Sequence, residues 1–246
     1  MRRSTDRTEE PVLAVHGLSK SYGDVKAVNG LTFSVSPGEI FGILGPNGAG
    51  KSTSLECILG TRKKDAGEVH ILGMDPHKDR RKIFAKTGVH FQDYAWQNGI
   101  RVNEICKATA CLYDPEPDWR PLLVKFDLAK RDKALVSALS GGERQKLSIL
   151  LACIHSPRLI FLDELTAGLD PLARRDVWKF IKGISEEGTA IVLTSHYMDE
   201  VETLCERGLM LKNGNLAAEG SISELIEAGK GKNLDEAYVN IMEAAV

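Results

Sequence analysis

Two short stretches carry residue types and spacings suited to handling a polyphosphate. The first, GPNGAGKST at 45–53, fits G-x-x-x-x-G-K-[ST] in full and follows an apolar run, GEIFGIL, that reads as a strand. In such a loop, running Gly45, Pro46, Asn47, Gly48, Ala49 and Gly50, the glycines let backbone N–H groups curl around phosphate oxygens, and the helix starting there adds positive potential. Lys51 reaches the β and γ phosphates, and Ser52, followed by Thr53, offers a hydroxyl to Mg2+. The second stretch is RLIFLDE. Its apolar residues deliver Asp163 to the carboxyl end of a strand, where open α/β sheets bind ligands, and Asp163 there can hold Mg2+ directly or through water. The neighbouring Glu164 can polarise an attacking water as a general base.

A third stretch, SALSGGERQKLSI at 137–149, looks like the start of a helix. Ser140 and Glu143 have the spacing of a capping box, and apolar residues recur at Leu147, Leu150, Leu151 and Ile154, the stripe of a half-buried helix. Gly141 and Gly142 weaken that first turn, so bare backbone N–H groups are wanted there. The chain thus carries a second anion-binding helix start far from the first.

These sites need a sheet to hold them, and the rest of the chain supplies one. VLAVHGL and AVNGLTFSV read as strands, as do GEVHILG and TGVHFQ, and the helix after the phosphate loop turns Leu55, Ile58 and Leu59 inward. From about 95 to 155 no strand is convincing; helices are expected over VNEICKATACLY, over DWRPLLVKF and from SGGERQ onward. RLIFLDE, the helix PLARRDVWKFIKGI and the strand TAIVLTS form a βαβ unit with parallel strands. A hairpin, LMLK then Asn213-Gly214 then NLAAE, and two short helices, ISELIEAG and LDEAYVNIMEAA, complete the order. The expected organisation is a loose tail over 1–10, a core over 11–92 and 156–228, a helical insert over 93–155 and a C-terminal helix over 229–246.

Composition removes several classes. The 32 basic and 34 acidic residues give a net charge of −2, which offers no basic field for nucleic acid. Five cysteines without a C-x-x-C pair signal neither a disulfide framework nor a zinc site. The charged start MRRSTDRTEEP lacks the apolar stretch of a secretory signal, and the longest apolar run falls short of the roughly 20 residues of a membrane helix. A soluble cytoplasmic protein is expected.

The phosphate loop, LSGGERQ, the DE pair at a strand end and a histidine after the next strand together resemble the ATP-binding subunit of an ABC transporter, over about 12–228. The resemblance implies an α/β fold: a RecA-like P-loop NTPase core with mixed and parallel sheet, an N-terminal antiparallel β region and an inserted α-helical subdomain. It implies that Tyr22 stacks on adenine, that Gln92 touches Mg2+ or its water and hinges the insert, and that His196 contacts the γ-phosphate. Asp170, a good N-cap before Pro171, would also sit at a dimer contact beside the opposing nucleotide. Ser140, Gly141, Gly142 and Glu143 would close on ATP bound to the loop of another copy, so two subunits, identical or similar, would pack head to tail. Transmembrane permease subunits would dock on the insert from the inner face of the cell membrane. Phe91, Tyr94, Trp96 and Cys106 are either surface for that docking or plain core.

Two positions depart from the family pattern. Leu165 stands where Pro usually follows the DE pair, and its freer backbone would loosen Glu164; Glu143 stands where Gln is commoner. Length and the segment GLMLKNGNLAAEGSISELI most resemble subunits of export systems with separate membrane proteins. The alternative is a soluble, non-transport member such as a cofactor-assembly ATPase. A kinase or GTPase gives no role to SGGERQ or His196.

Overall fold

The computed structural model describes residues 10–90, 96–166 and 168–244; residues 1–9 of the expected tail, and Phe91, Gln92 and Tyr94, lie outside them. In chain order the elements are β1 (Leu13–Tyr22), β2 (Val25–Val35), β3 (Ile40–Leu44), α1 (Lys51–Ile58), β4 (Ala66–Ile71), α2 (Arg80–Phe84) and β5 (Thr87–His90). The helical stretch follows, with α3 (Val102–Ala110), α4 (Arg120–Lys125) and α5 (Gly141–Cys153). Then come β6 (Leu159–Asp163), α6 (Pro171–Glu186), β7 (Ala190–Ser195), α7 (Met198–Leu204), β8 (Arg207–Lys212), β9 (Asn215–Ser221), α8 (Ile222–Ala228) and α9 (Leu234–Ala244). The strands and helices expected from the sequence are present, with α2 and α7 in addition.

The central sheet has the order β5-β6-β7-β3-β8-β9, parallel throughout except for β9, which pairs antiparallel with β8. A second sheet, β2-β1-β4, is antiparallel. The α/β class, with an N-terminal antiparallel β region and a helical insert between β5 and β6, is therefore observed.

The inner strands of the parallel sheet are buried on both faces, which is why they read as unbroken apolar runs. Alternate residues of β3 serve different cores. Ile40 and Leu44 join the core shared with α5, α6 and the helical stretch, whereas Phe41 and Ile43 join the core beneath the antiparallel sheet and α1. Stacking of Phe33 on Phe41, with ring centroids 5.1 Å apart, ties the two sheets together.

Helix α5 differs from the expected half-buried stripe. Besides Leu147, Leu150, Leu151 and Ile154, the residues Ser148, Ile149, Ala152 and Cys153 are buried, because this half of the helix lies between β5, α6 and the insert. The approach to β5 is close enough that only glycine fits at position 88: a Cβ there would lie 2.1 Å from the Ala152 carbonyl oxygen. Gly88→Ala should therefore destabilise the fold by about 1–3 kcal/mol, read as a lower urea midpoint with unchanged slope.

His155, just past α5, stacks on Tyr113 at 4.2 Å between centroids, and burial lowers its pKa from 6.5 to about 4. It stays neutral in the folded chain and takes up a proton on unfolding, so stability is lost as pH falls from 6.5 toward 4. Thermal melts across that range should be flatter with pH for His155→Phe, which keeps the stack and removes the proton site.

Candidate functional site

The sheet order places the chemistry. Lys51 follows β3, Asp163 ends β6, and β7 lies between these two strands, so its end can reach both. The phosphate loop is braced from below. Gly50 sits at φ 106°, and a Cβ there would lie 2.1 Å from the Ala27 carbonyl oxygen of β2. The hairpin turn has positive φ at both Asn213 and Gly214, as a tight I′-like turn requires. Its Gly214 N–H donates to the Ala49 carbonyl at 3.0 Å, while Gly214 O accepts from Asn29 N–H at 2.8 Å.

Above the loop lies a cleft of ≈ 300 Å³ lined by Ala27, Asn47, Gly48, Gly50, Lys51, Ser52, Thr53 and Glu164. Ala49 is buried beneath it. The Lys51 ammonium is folded back on the loop, donating to Gly45 O at 2.7 Å and Pro46 O at 3.2 Å, and lies 3.7 Å from Glu164 Oε1. Burial lowers its pKa, opposed by the carboxylates of Glu164 and Asp163.

Asp163 is buried, and desolvation raises its pKa against the hydrogen bond from Thr194 and the pull of Lys51 and Ser52; Glu164 adds to the rise. Thr194 Oγ1 donates to Asp163 Oδ1. The Glu164 N–H donates to the Thr194 carbonyl and hydroxyl oxygens, each at 3.1 Å. Glu164 itself has φ 47°, a left-handed conformation that Pro at 165 would have pushed toward extended backbone. Leu165 is buried, and its carbonyl accepts from the Gln145 side chain of α5. The backbone around Glu164 is thus pinned from both sides, unlike the loosening expected from the missing Pro. His196 Nδ1 lies 3.4 Å from Glu164 Oε1, so one carboxylate oxygen faces both the lysine and the histidine.

The remaining expected residues that the structure describes do not line this cleft. Ser140 caps α5: its Oγ accepts from Glu143 N–H at 3.2 Å, and its N–H donates to Glu143 Oε2 at 2.8 Å. Glu143 also binds Arg131 at 2.8 Å; the Ser140 N–H first, and then Arg131, hold its pKa below the usual value. Ser140 and Gly141 are exposed, Gly142 is half-buried against Ala173, and none of the residues 140–143 lines the cleft over Lys51. Asp170 Oδ1 accepts from Leu172 and Ala173 N–H at 2.9 and 3.0 Å, the expected N-cap. Tyr22 is 43% exposed with Lys20 and Arg62 beside its ring. Trp96 lines a second groove, and Cys106 is core, with no exposed surface. Gln92 is outside the described residues.

The sequence profile described as ABC transporter matches residues 28–167. The Nod factor export ATP-binding protein I of Rhizobium etli is 37% identical over 242 residues, covering 96% of this chain and 77% of that protein. Its namesake from Ralstonia nicotianae is 37% identical over 235 residues, covering 93% and 73%. The chain belongs to the ABC transporter family. A solved ATP-binding subunit of an ABC transporter superposes with a TM-score of 0.84 at 27% identity, covering 94% of this chain and 99% of that one. An ATP-binding cassette in its ADP conformation shares the fold, with a TM-score of 0.82 at 24% identity, covering 94% and 99%. Within the family this chain is an ATP-binding subunit, a transport-coupled ATPase.

Sequence reading overlooked Thr194, and read Gly214 as part of a tight turn without its contact to the phosphate loop. Thr194 was legible only as one letter of an apolar strand. Thr194→Val keeps the shape but removes the Thr194 hydroxyl from buried Asp163. It should cost about 1–3 kcal/mol in urea unfolding, and Thr194→Ser should restore most of that.

Proposed function

We propose that this ABC subunit powers export, hydrolysing ATP in a head-to-tail pair whose two sites are each built from both copies. The observation that carries the reading is the separation of the two anion-binding helix starts. The cleft over Lys51 has no wall from 140–143, while Ser140 and Gly141 stand exposed at a capped helix start. A second copy brings one to the other. ATP has far higher affinity for the closed pair than for either half, and that difference drives closure.

In the closed pair Lys51 leaves the Gly45 and Pro46 carbonyls for the β and γ phosphate oxygens, which are better acceptors for an ammonium short of water. Backbone N–H groups of 48–53 cradle the phosphates, and those of Gly141 and Gly142 from the other copy face the γ-phosphate. Tyr22 offers a flat face to adenine. Glu164 accepts a proton from the attacking water, and His196, 3.4 Å from its carboxylate, orients it and meets the γ-phosphate. Asp170 holds the start of α6 against the partner copy.

The residues present fit Mg2+. Asp163 is a buried carboxylate whose pKa burial raises, so a cation offsets its cost, and Ser52 lines the cleft close by. Asp163, the Ser52 hydroxyl and the amide of Gln92 would hold the ion. When bound, Mg2+ neutralises charge on the transferring phosphoryl group.

No helix among the described residues is long and apolar enough to cross a membrane, so the work of closure passes to separate membrane subunits from the cytoplasmic face. The groove of ≈ 320 Å³ between β5 and the insert, walled by Phe84, Val89, Trp96, Ile105, Tyr113 and Leu151, is the seat for a short helix of such a subunit. The relatives, named as export proteins, support the outward direction. Glu164→Gln should bind ATP, hydrolyse it at least about a hundred-fold more slowly, and run as a dimer in light scattering with ATP and Mg2+. A variant that stays monomeric at saturating ATP defeats the shared-site reading.

A further inference from the structure

Behind His196 lies a buried carboxylate that none of the site motifs contains. Glu200, on α7, is 2% exposed. Its Oε1 accepts from Thr166 Oγ1 at 2.8 Å and from Trp178 Nε1 at 3.2 Å, and its Oε2 accepts from Ser195 Oγ at 2.6 Å. The donors come from three places: the turn after Glu164 that leads to Asp170, the middle of α6, and the last residue of β7. Ser195 Oγ in turn accepts from Tyr197 N–H at 3.0 Å, so two linked bonds bracket the backbone of His196.

The ring is braced from the same side. His196 lies 4.1 Å from Tyr197 by ring centroids, and the Arg174 guanidinium sits 4.4 Å over the Tyr197 ring while bonding Asp199 at 3.1 Å. A carboxylate buried this deeply is costly unless its bonds are made, and each bond that the structure shows to it is from a neutral donor. Such a group is a poor source of bulk stability and a strong source of fixed geometry.

We propose that Glu200 is a positioning residue for hydrolysis: it locks the Ser195-His196-Tyr197 loop to the Thr166 turn, so that His196 and the base Glu164 keep their relative placement when ATP arrives. The inference rests on the role given to His196 above. Glutamine can make the same three contacts, with its carbonyl accepting from Thr166 and Trp178 and its amide donating to Ser195, whose own proton then turns to the Tyr197 carbonyl. Charge is therefore dispensable and connectivity is not.

The test compares Glu200→Ala, Glu200→Gln and Ser195→Ala with the unaltered full-length chain, well below each Tm. Alanine at 200 should lower kcat roughly ten- to a hundred-fold while KM and the affinity for ATP stay within about two-fold, and glutamine should recover more than about half of kcat. The imidazole resonance of His196, assigned by its loss in His196→Ala, should shift in both alanine variants and return in Glu200→Gln. If Glu200→Ala does not fold, Ser195→Ala, which cuts only the link to the His196 loop, decides the matter by the same two readouts. An unchanged kcat, a fall in ATP affinity that accounts for the loss, or an unmoved His196 resonance overturns the proposal. Full activity in His196→Ala would overturn the role of the histidine and this inference with it; an inactive His196→Ala beside an unimpaired Glu200→Ala overturns the inference alone.

Discussion

One positive and two negative side chains are kept largely out of water at the carboxyl edge of the central sheet, where the lysine offsets the charge of both carboxylates. Lys51 is 5% exposed, its ammonium parked on two carbonyls and facing Glu164, while Asp163 leans on Thr194. Isolated charges in such surroundings would neutralise or force the loop open. Together they form a nearly balanced cluster at the mouth of the nucleotide cleft. The arrangement asks the scaffold for three strand ends in register, and the order β6-β7-β3 is the smallest piece of sheet that provides them.

That dependence explains how much of the molecule the sequence disclosed. Strands buried on both faces announce themselves as apolar runs, so β3, β6 and β7 were legible with their polar ends, and with them the lysine and both carboxylates. Helices α2 and α7 were missed for different reasons. Helix α2 has five residues and a single buried one, Ile83. In α7, Met198, Val201 and Leu204 recur every third residue, a signal that was there to be found but was masked by the acids among them. The capping box at Ser140 was fully local and therefore readable. The bracing of the phosphate loop by a turn more than a hundred and fifty residues later was not, because no local pattern records which backbones will touch.

The departure at position 165 shows a local rule yielding to its surroundings. Leu in place of Pro gives the backbone more freedom, yet the extra freedom is spent at once: Glu164 adopts a left-handed conformation, Thr194 holds its N–H, and Gln145 of α5 holds the next carbonyl. The bond from Gln145 also ties the strand end beside Glu164 to the helix capped by Ser140. The first half of the insert's last helix and the backbone next to Glu164 are therefore held together within one chain.

The turn at Asn213-Gly214 sits at the edge of the sheet, where a hairpin would ordinarily be free to vary in length and tolerate insertions. Here its glycine is wedged between the Ala49 carbonyl and the end of β2, with no room for even a methyl group: a Cβ on Gly214 would lie 2.3 Å from the Lys26 carbonyl oxygen. The last third of the chain therefore acts as a keystone for a loop formed in the first quarter. During synthesis the phosphate loop is without this support until the hairpin has emerged, so a ribosome-bound fragment ending before β9 carries the nucleotide motif in full and still lacks the brace that shapes it.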